Sequence, residues 1–160
     1  MKYIKIYISI FMMLAISGCV HLVSYYDSVS YKNLTDMKGE MKVFFQSCQK
    51  EVAKGEYALS AIDGFVLSSA KAYEYEKGKG LNDDTISQLK TLEKTIVEVK
   101  SRYSSNVYSG STCEARAEGV APDASTGCLT IGYCIAKWKI LETAFDIAIT
   151  TEQSKIEEFK

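Results

Sequence analysis

Five cysteines and a single histidine carry most of the reactive chemistry in this 160-residue chain, and their spacing narrows what that chemistry is. Cys48, Cys113, Cys128 and Cys134 stand in the body of the sequence, while Cys19 follows Ile16-Ser17-Gly18 near its start. In an exported chain, four cysteines read as two disulfides with three possible connectivities. Zinc is the competing use, but structural zinc sites bring close pairs such as C-x2-C, and the tightest spacing in this set is Cys128 to Cys134. The local signals for a thioredoxin-like redox site and for covalent haem, C-x-x-C and C-x-x-C-H, are both missing. One histidine, His21, cannot furnish the paired Glu-x-x-His motifs of a di-iron bundle, and no Walker or phosphate-cradling Gly-rich motif occurs. Asp83-Asp84 could suggest a metal or an acid–base pair, yet two acidic residues in a first turn are ordinary helix-start chemistry. The residues therefore point away from an enzyme, with no catalytic, metal-binding or cofactor-binding set and no cofactor.

The elements that must position the cysteines are helical. From Leu34, apolar residues recur at Met37, Met41, Phe44, Cys48 and Val52, steps of three and four that share one helix face. Val29 and Tyr26 continue the stripe backward, giving a first helix over 24–53, ~45 Å long at 1.5 Å per residue, with Gly55 placed to end it. A second helix over 56–77 puts Ala58, Ala61, Ile62, Phe65, Ser69, Ala72 and Tyr73 on one face. Gly64 inside it costs about 1 kcal/mol relative to Ala, which points to a neighbour packed closely there; Gly39 in the first helix reads the same way, or as a kink. Asn82 is placed to cap a third helix, with Asp83 and Asp84 at the positive dipole end and Leu81 packing on Ile86 as a staple. Its stripe runs Ile86, Leu89, Leu92, Ile96, Val99, Tyr103. A fourth stripe runs Ile131, Cys134 or Ile135, Trp138, Leu141, Phe145, Ala148 or Ile149, then Ile156 and Phe159, with Trp138 as a core anchor.

Between Ser104 and Gly127 the period is lost, and a loop this long inside a domain is functional, disordered or a missed element. Four amphipathic segments joined by two short turns and this loop predict an all-α fold, an up-down-up-down four-helix bundle with a long disulfide-stapled loop between helices 3 and 4. In that topology Cys48 and Cys134 lie at one level on neighbouring helices, so the expected bridges are Cys48–Cys134 and Cys113–Cys128. The loop is then the extended segment with no helical duty, and Tyr108 and Arg116 are its candidate partner contacts.

The first nineteen residues have a charged start, Lys2 and Lys5, an apolar run of about 11 residues from Ile6 to Ile16, and small residues before Cys19. The run is shorter than the roughly 20 residues of a membrane-spanning helix. Ser17-Gly18-Cys19 resembles the lipobox of bacterial lipoproteins, with Ile16 where leucine is commonest in that family. The resemblance implies a signal peptide over 1–18, cleavage before Cys19, and palmitate-type lipidation of Cys19, leaving 19–160 as a single helical domain held to a membrane through lipid. Covalent chains contribute about 0.8 kcal/mol per buried CH2, so two or three anchor permanently. The resemblance also extends to sorting: Val20, rather than Asp, favours the outer membrane on its periplasmic side, or the plasma membrane in a Gram-positive cell. His21 would sit two residues from the lipid, a poor place for a Cys-His or Ser-His-Asp site.

Removing residues 1–18 leaves 17 basic and 20 acidic residues, a formal charge of −3, so no electrostatic reason to expect nucleic acid arises. Two functional classes follow. One is a non-catalytic protein-binding or adaptor lipoprotein of the cell envelope, similar in architecture to the pilotins of secretion systems. The other is an exclusion lipoprotein of the phage or plasmid type that blocks a surface receptor or DNA entry. Leu22-Val23-Ser24-Tyr25-Tyr26-Asp27 before an amphipathic helix also looks like the start of several uncharacterised proteobacterial lipoproteins.

Overall fold

Asp27 opens the first helix, its carboxylate accepting the Val29 N–H at 2.8 Å, one of the four N–H groups that a helix start leaves without a partner. The computed structural model describes residues 25–156; Cys19, His21, Phe159 and the expected signal peptide 1–18 lie outside the described residues. Helix α1 spans Ser28–Cys48, shorter at both ends than the stripe predicted. It closes at its C-terminus in a tight turn, with Lys50 and Glu51 N–H both donating to Ser47 O. Val52 and Ala53 carry on the apolar period, but Ala53–Lys54 form a short strand, β1. Gly55, expected to end α1, instead begins α2 (Gly55–Lys77) at a φ of +72°, a conformation that glycine adopts without strain.

Helix α3 spans Asp83–Ser105, and after it come β2 (Asn106–Ser109), β3 (Thr112–Ala115), β4 (Cys128–Leu129) and helix α4 (Ile131–Ser154). The fold is mostly helical, but all-α is too strong: β1 pairs antiparallel with β4, and β2 with β3 as a hairpin. Register runs Asn106 opposite Ala115 to Ser109 opposite Thr112, and the connecting residues include Gly110 at a φ of +61°. The expected featureless loop thus begins with a hairpin. Two short runs separated by Gly110-Ser111 carry a hairpin signature.

The core is built from the four stripes. Leu34, Met37, Met41, Phe44 and Phe45 of α1 meet Ile62 and Phe65 of α2, Leu89, Leu92 and Ile96 of α3, and Trp138, Leu141 and Phe145 of α4. Phe45 stacks on Trp138 at 5.8 Å between ring centroids, and Phe44 sets its edge against Phe65 at 5.4 Å. Helix α2 packs most heavily on α3 and α1 on α4, while α1 and α2 touch least of the neighbouring pairs. Ile131, Ile135 and Ile156 stand exposed rather than joining the α4 stripe. Gly39 and Gly64 face open space, with nothing within 4 Å of a Cβ placed there, so neither marks the close approach expected of it. The tight glycine is Gly127, where a Cβ would run into the Tyr103 carbonyl and ring. Asn82 precedes α3 but makes no side-chain cap bond, and Leu81, expected to staple α3, is 57% exposed at a φ of +57°. Asn82 makes no cap bond because its side chain finds other partners, Glu76 and Lys155, at this end of the molecule.

Candidate binding surfaces

At one end the chain gathers the cysteines. Cys48 at the end of α1 bridges to Cys134 in the first turn of α4, and Cys113 of β3 bridges to Cys128 of β4, each with 5.9 Å between Cα atoms. The two candidate contact residues of the loop lie together at this end through Thr126: Tyr108 N–H donates to its carbonyl at 3.1 Å and Arg116 to its hydroxyl at 3.0 Å. Arg116 also donates to the carbonyls of Ser104 (3.3 Å), Asn106 (3.1 Å) and Asp123 (2.9 Å). Its guanidinium fork therefore clasps the loop to the end of α3. Asp123 closes the loop from the other side by accepting from the Ser125 hydroxyl and N–H and the Thr126 hydroxyl, bonds that hold its carboxyl below the usual carboxylate range. Tyr108 is half-buried, with the Lys54 ammonium 3.7 Å from its ring centre.

At the opposite end each stripe runs one step of four beyond its last apolar residue and lands on a polar one: Ser30 before Leu34, Glu76 after Ala72, Thr85 before Leu89, Glu152 after Ala148. All four are buried, as are Asn82 and Lys155. Lys155 donates to Glu152 at 2.5 Å, Asn82 Oδ1 at 2.8 Å and Thr85 at 3.0 Å. The Asn82 amide donates in turn to Glu76, which also accepts from Ser30 and, at 3.0 Å, from Lys79. Asp27 completes the layer, its N–H donating to Glu152 at 2.9 Å and its carboxylate facing Lys79 at 2.6 Å and the Tyr75 hydroxyl at 2.7 Å. Buried charges persist where every lone pair and proton is matched; among the described residues Gln88 Oε1 is the one buried side-chain polar atom without a partner.

Lys79 also donates to Ser30. A lysine can activate a serine hydroxyl when it is neutral. Here burial alone would lower the Lys79 pKa, but hydrogen bonds to Asp27 and Glu76 and their charge outweigh it and raise the value. The raised value favours the ammonium over the neutral amine that activating Ser30 would need.

Burial would likewise raise Asp27, but the bonds from Lys79, Tyr75 and Val29 N–H win and hold its carboxyl far below the usual carboxylate range. With the folded value below the unfolded one, Asp27 contributes stability that is present above its ordinary value of 3.8 and is lost as pH falls below it. Asp27→Asn keeps a good capping side chain while removing the charge. The variant is expected to be less stable than wild type in urea near neutral pH, with the gap closing as pH falls from about 5 toward 2. No gap near neutral pH would show that Asp27 acts only as a cap, and a gap that stays constant or widens in acid would show that its charge is not the source of the stability.

A third surface is the seam between α1 and α2. Three open depressions of about 230, 420 and 410 Å³ follow one another along it. The first and second share Phe44 and Tyr57, and the second and third share Glu40 and Ser68, so together they form one groove. Ala61, Gly64 and Ser68 line the α2 wall, and the small side chains keep it open. Val43 and Tyr57 stand on the rim at 67% and 79% exposure.

Compared with protein-family models, curated proteins and solved structures, the chain has no significant match. Among the described residues, no group of three or more His, Cys, Asp or Glu side chains is arranged to hold a metal ion, and no helix is long and apolar enough to cross a membrane. The polar layer and the groove are the features that sequence reasoning missed. Charged residues falling on a stripe, Glu76 and Glu152 above all, were a readable signal for the first; the second depends on how far apart two helices stand.

Proposed function

We propose that this chain is a non-catalytic lipoprotein of the bacterial cell envelope, anchored through lipidated Cys19 at the periplasmic side of the outer membrane, which binds another envelope protein through the α1–α2 groove. The observation that carries this reading is the groove itself: a continuous, partly apolar trough along the most loosely packed helix pair, of the kind that suits a protein partner. An up-down-up-down bundle over 19–160 is the scaffold that this reading assigns, with the signal peptide 1–18 removed. Two disulfides within one small chain suit an oxidising compartment outside the cytoplasm. The lipobox-like Ser17-Gly18-Cys19 supplies the address. Arg116 is occupied within its own loop, which favours the groove over the loop as the contact surface and leaves Tyr108 as the loop's remaining candidate.

The test has two arms. Cys19→Ala is expected to abolish incorporation of labelled palmitate and membrane association; persistent label removes the anchoring reading. A photoreactive residue in intact cells at Val43, on the groove rim, is expected to capture a discrete partner that the same residue at Ile147 on α4 does not. Equal yields from both, or capture at Tyr108 alone, remove the groove from the proposal.

A further inference from the structure

We infer that the α1–α2 groove takes a single amphipathic α-helix of about four turns, apolar on the face it buries and basic along the flank that faces α1. This rests on the protein-binding reading above and names the kind of partner. The first reason is hydrogen bonding. The long walls of the groove are helices, whose backbone groups are bonded within their own turns, so an extended peptide laid along them would find no ladder of N–H and C=O groups to pair with. A helix arrives with its backbone already satisfied.

Length and shape agree with this. The α1 wall from Asn33 to Cys48 borders the depressions, and at 1.5 Å per residue it measures ~23 Å, or about four turns. On the α2 wall, Gly64 has nothing within 4 Å of its Cβ position, which leaves room for aliphatic side chains of a third helix to settle toward Phe44 and Phe65.

Charge sets the sign of the flank. Asp36, Glu40 and Glu51 are the acidic residues that α1 and its closing turn bring to the groove. Lys32 already pairs with Asp36, whereas Glu40 and Glu51 enter none of the ion pairs among the described residues. On the other side Lys54 is drawn over the Tyr108 ring, leaving Lys71 as the cation of the α2 wall. A helix with lysine or arginine opposite Glu40 and Glu51 is matched by this field, and one with an acidic flank there is repelled.

The test uses the full chain isolated from its membrane in phosphatidylcholine nanodiscs, with empty nanodiscs as the blank, and three fluorescein-labelled peptides of about 18 residues. One carries leucine and alanine on one face and lysine on the adjoining flank, one has glutamate on that flank, and one is a scramble of the lysine peptide with the same net charge. Fluorescence anisotropy is expected to show the lysine-flanked helix binding about ten-fold or more tighter than either control. Gly64→Trp, which fills the trough at an exposed helix position, is expected to weaken it by a similar factor with an unfolding midpoint no lower than that of wild type. Glu40→Lys combined with Glu51→Lys is expected to reverse the preference toward the glutamate peptide. Equal binding of the lysine peptide and its scramble, indifference to Gly64→Trp, or no binding of any peptide overturns the helix inference. Failure here together with specific capture at Val43 in cells leaves the protein-binding reading standing, while absence of capture at Val43 removes that reading whatever the peptides do.

Discussion

Loss of the Cys48–Cys134 bridge, as Cys48→Ala/Cys134→Ala, is expected to lower the unfolding free energy by about 4 to 5 kcal/mol. The bridge ties residues 86 apart in sequence, and in the chain-entropy account the stabilisation grows with the logarithm of the loop closed, because the crosslink removes more conformations from the unfolded chain than from the folded one. Cys113–Cys128 closes a separation of 15, so its removal is expected to cost about 3 kcal/mol. The difference has a structural counterpart. Cys48 and Cys134 are both buried against the core and join α1 to α4, whereas the second bridge fastens β3, in the half-exposed hairpin, to β4. Urea unfolding of the two double variants under oxidising conditions, compared with wild type, checks the order. A smaller loss from the Cys48/Cys134 variant than from the other would contradict it.

Glu152→Ala is expected to destabilise the fold by about 3 to 5 kcal/mol. Glu152 is fully buried and accepts from Lys155 and from the Asp27 N–H. Truncation removes the carboxylate that the Lys155 ammonium, itself 3% exposed, meets at 2.5 Å, and strips the start of α1 of its link to α4. The cost belongs to the loss of one partner from a buried ion pair more than to the pair itself, since desolvation offsets much of the attraction between buried ions. Replacing both partners, as Glu152→Leu/Lys155→Met, is therefore expected to recover most of the loss. Urea midpoints for the single and double variants decide the matter: a single-variant loss below about 1 kcal/mol, or a double variant worse than Glu152→Ala, would mean that the layer does not carry buried charge in this way.

The helices were legible to different depths. The α2 and α3 stripes could be read because their apolar residues keep the helical period up to breakers that are themselves in the sequence, Gly78 and Gly80 after one and Asn82-Asp83-Asp84 before the other. The end of α1 could not be read this way, because Val52 and Ala53 satisfy the helical period and the extended backbone at Ala53–Lys54 is drawn out by pairing with Cys128–Leu129, more than seventy positions away. The hairpin at 106–115 carries its signal in the Gly110-Ser111 turn, while its strands are too short to show a clear alternation of apolar and polar residues.

What the sequence determined by itself is which face of each helix turns inward, because that depends only on steps of three and four along one segment. The tertiary structure decided the levels at which the four faces meet. That alignment places Ser30, Glu76, Thr85 and Glu152 in one layer with Asn82 and Lys155 between them and Asp27 beside them, joined by long-range hydrogen bonds that span 46 to 125 residues. It also decided how far apart α1 and α2 stand, and so whether the small residues of α2 meet a neighbour or leave a groove. Neither quantity is written in local spacing, since each arises from the packing of all four helices at once.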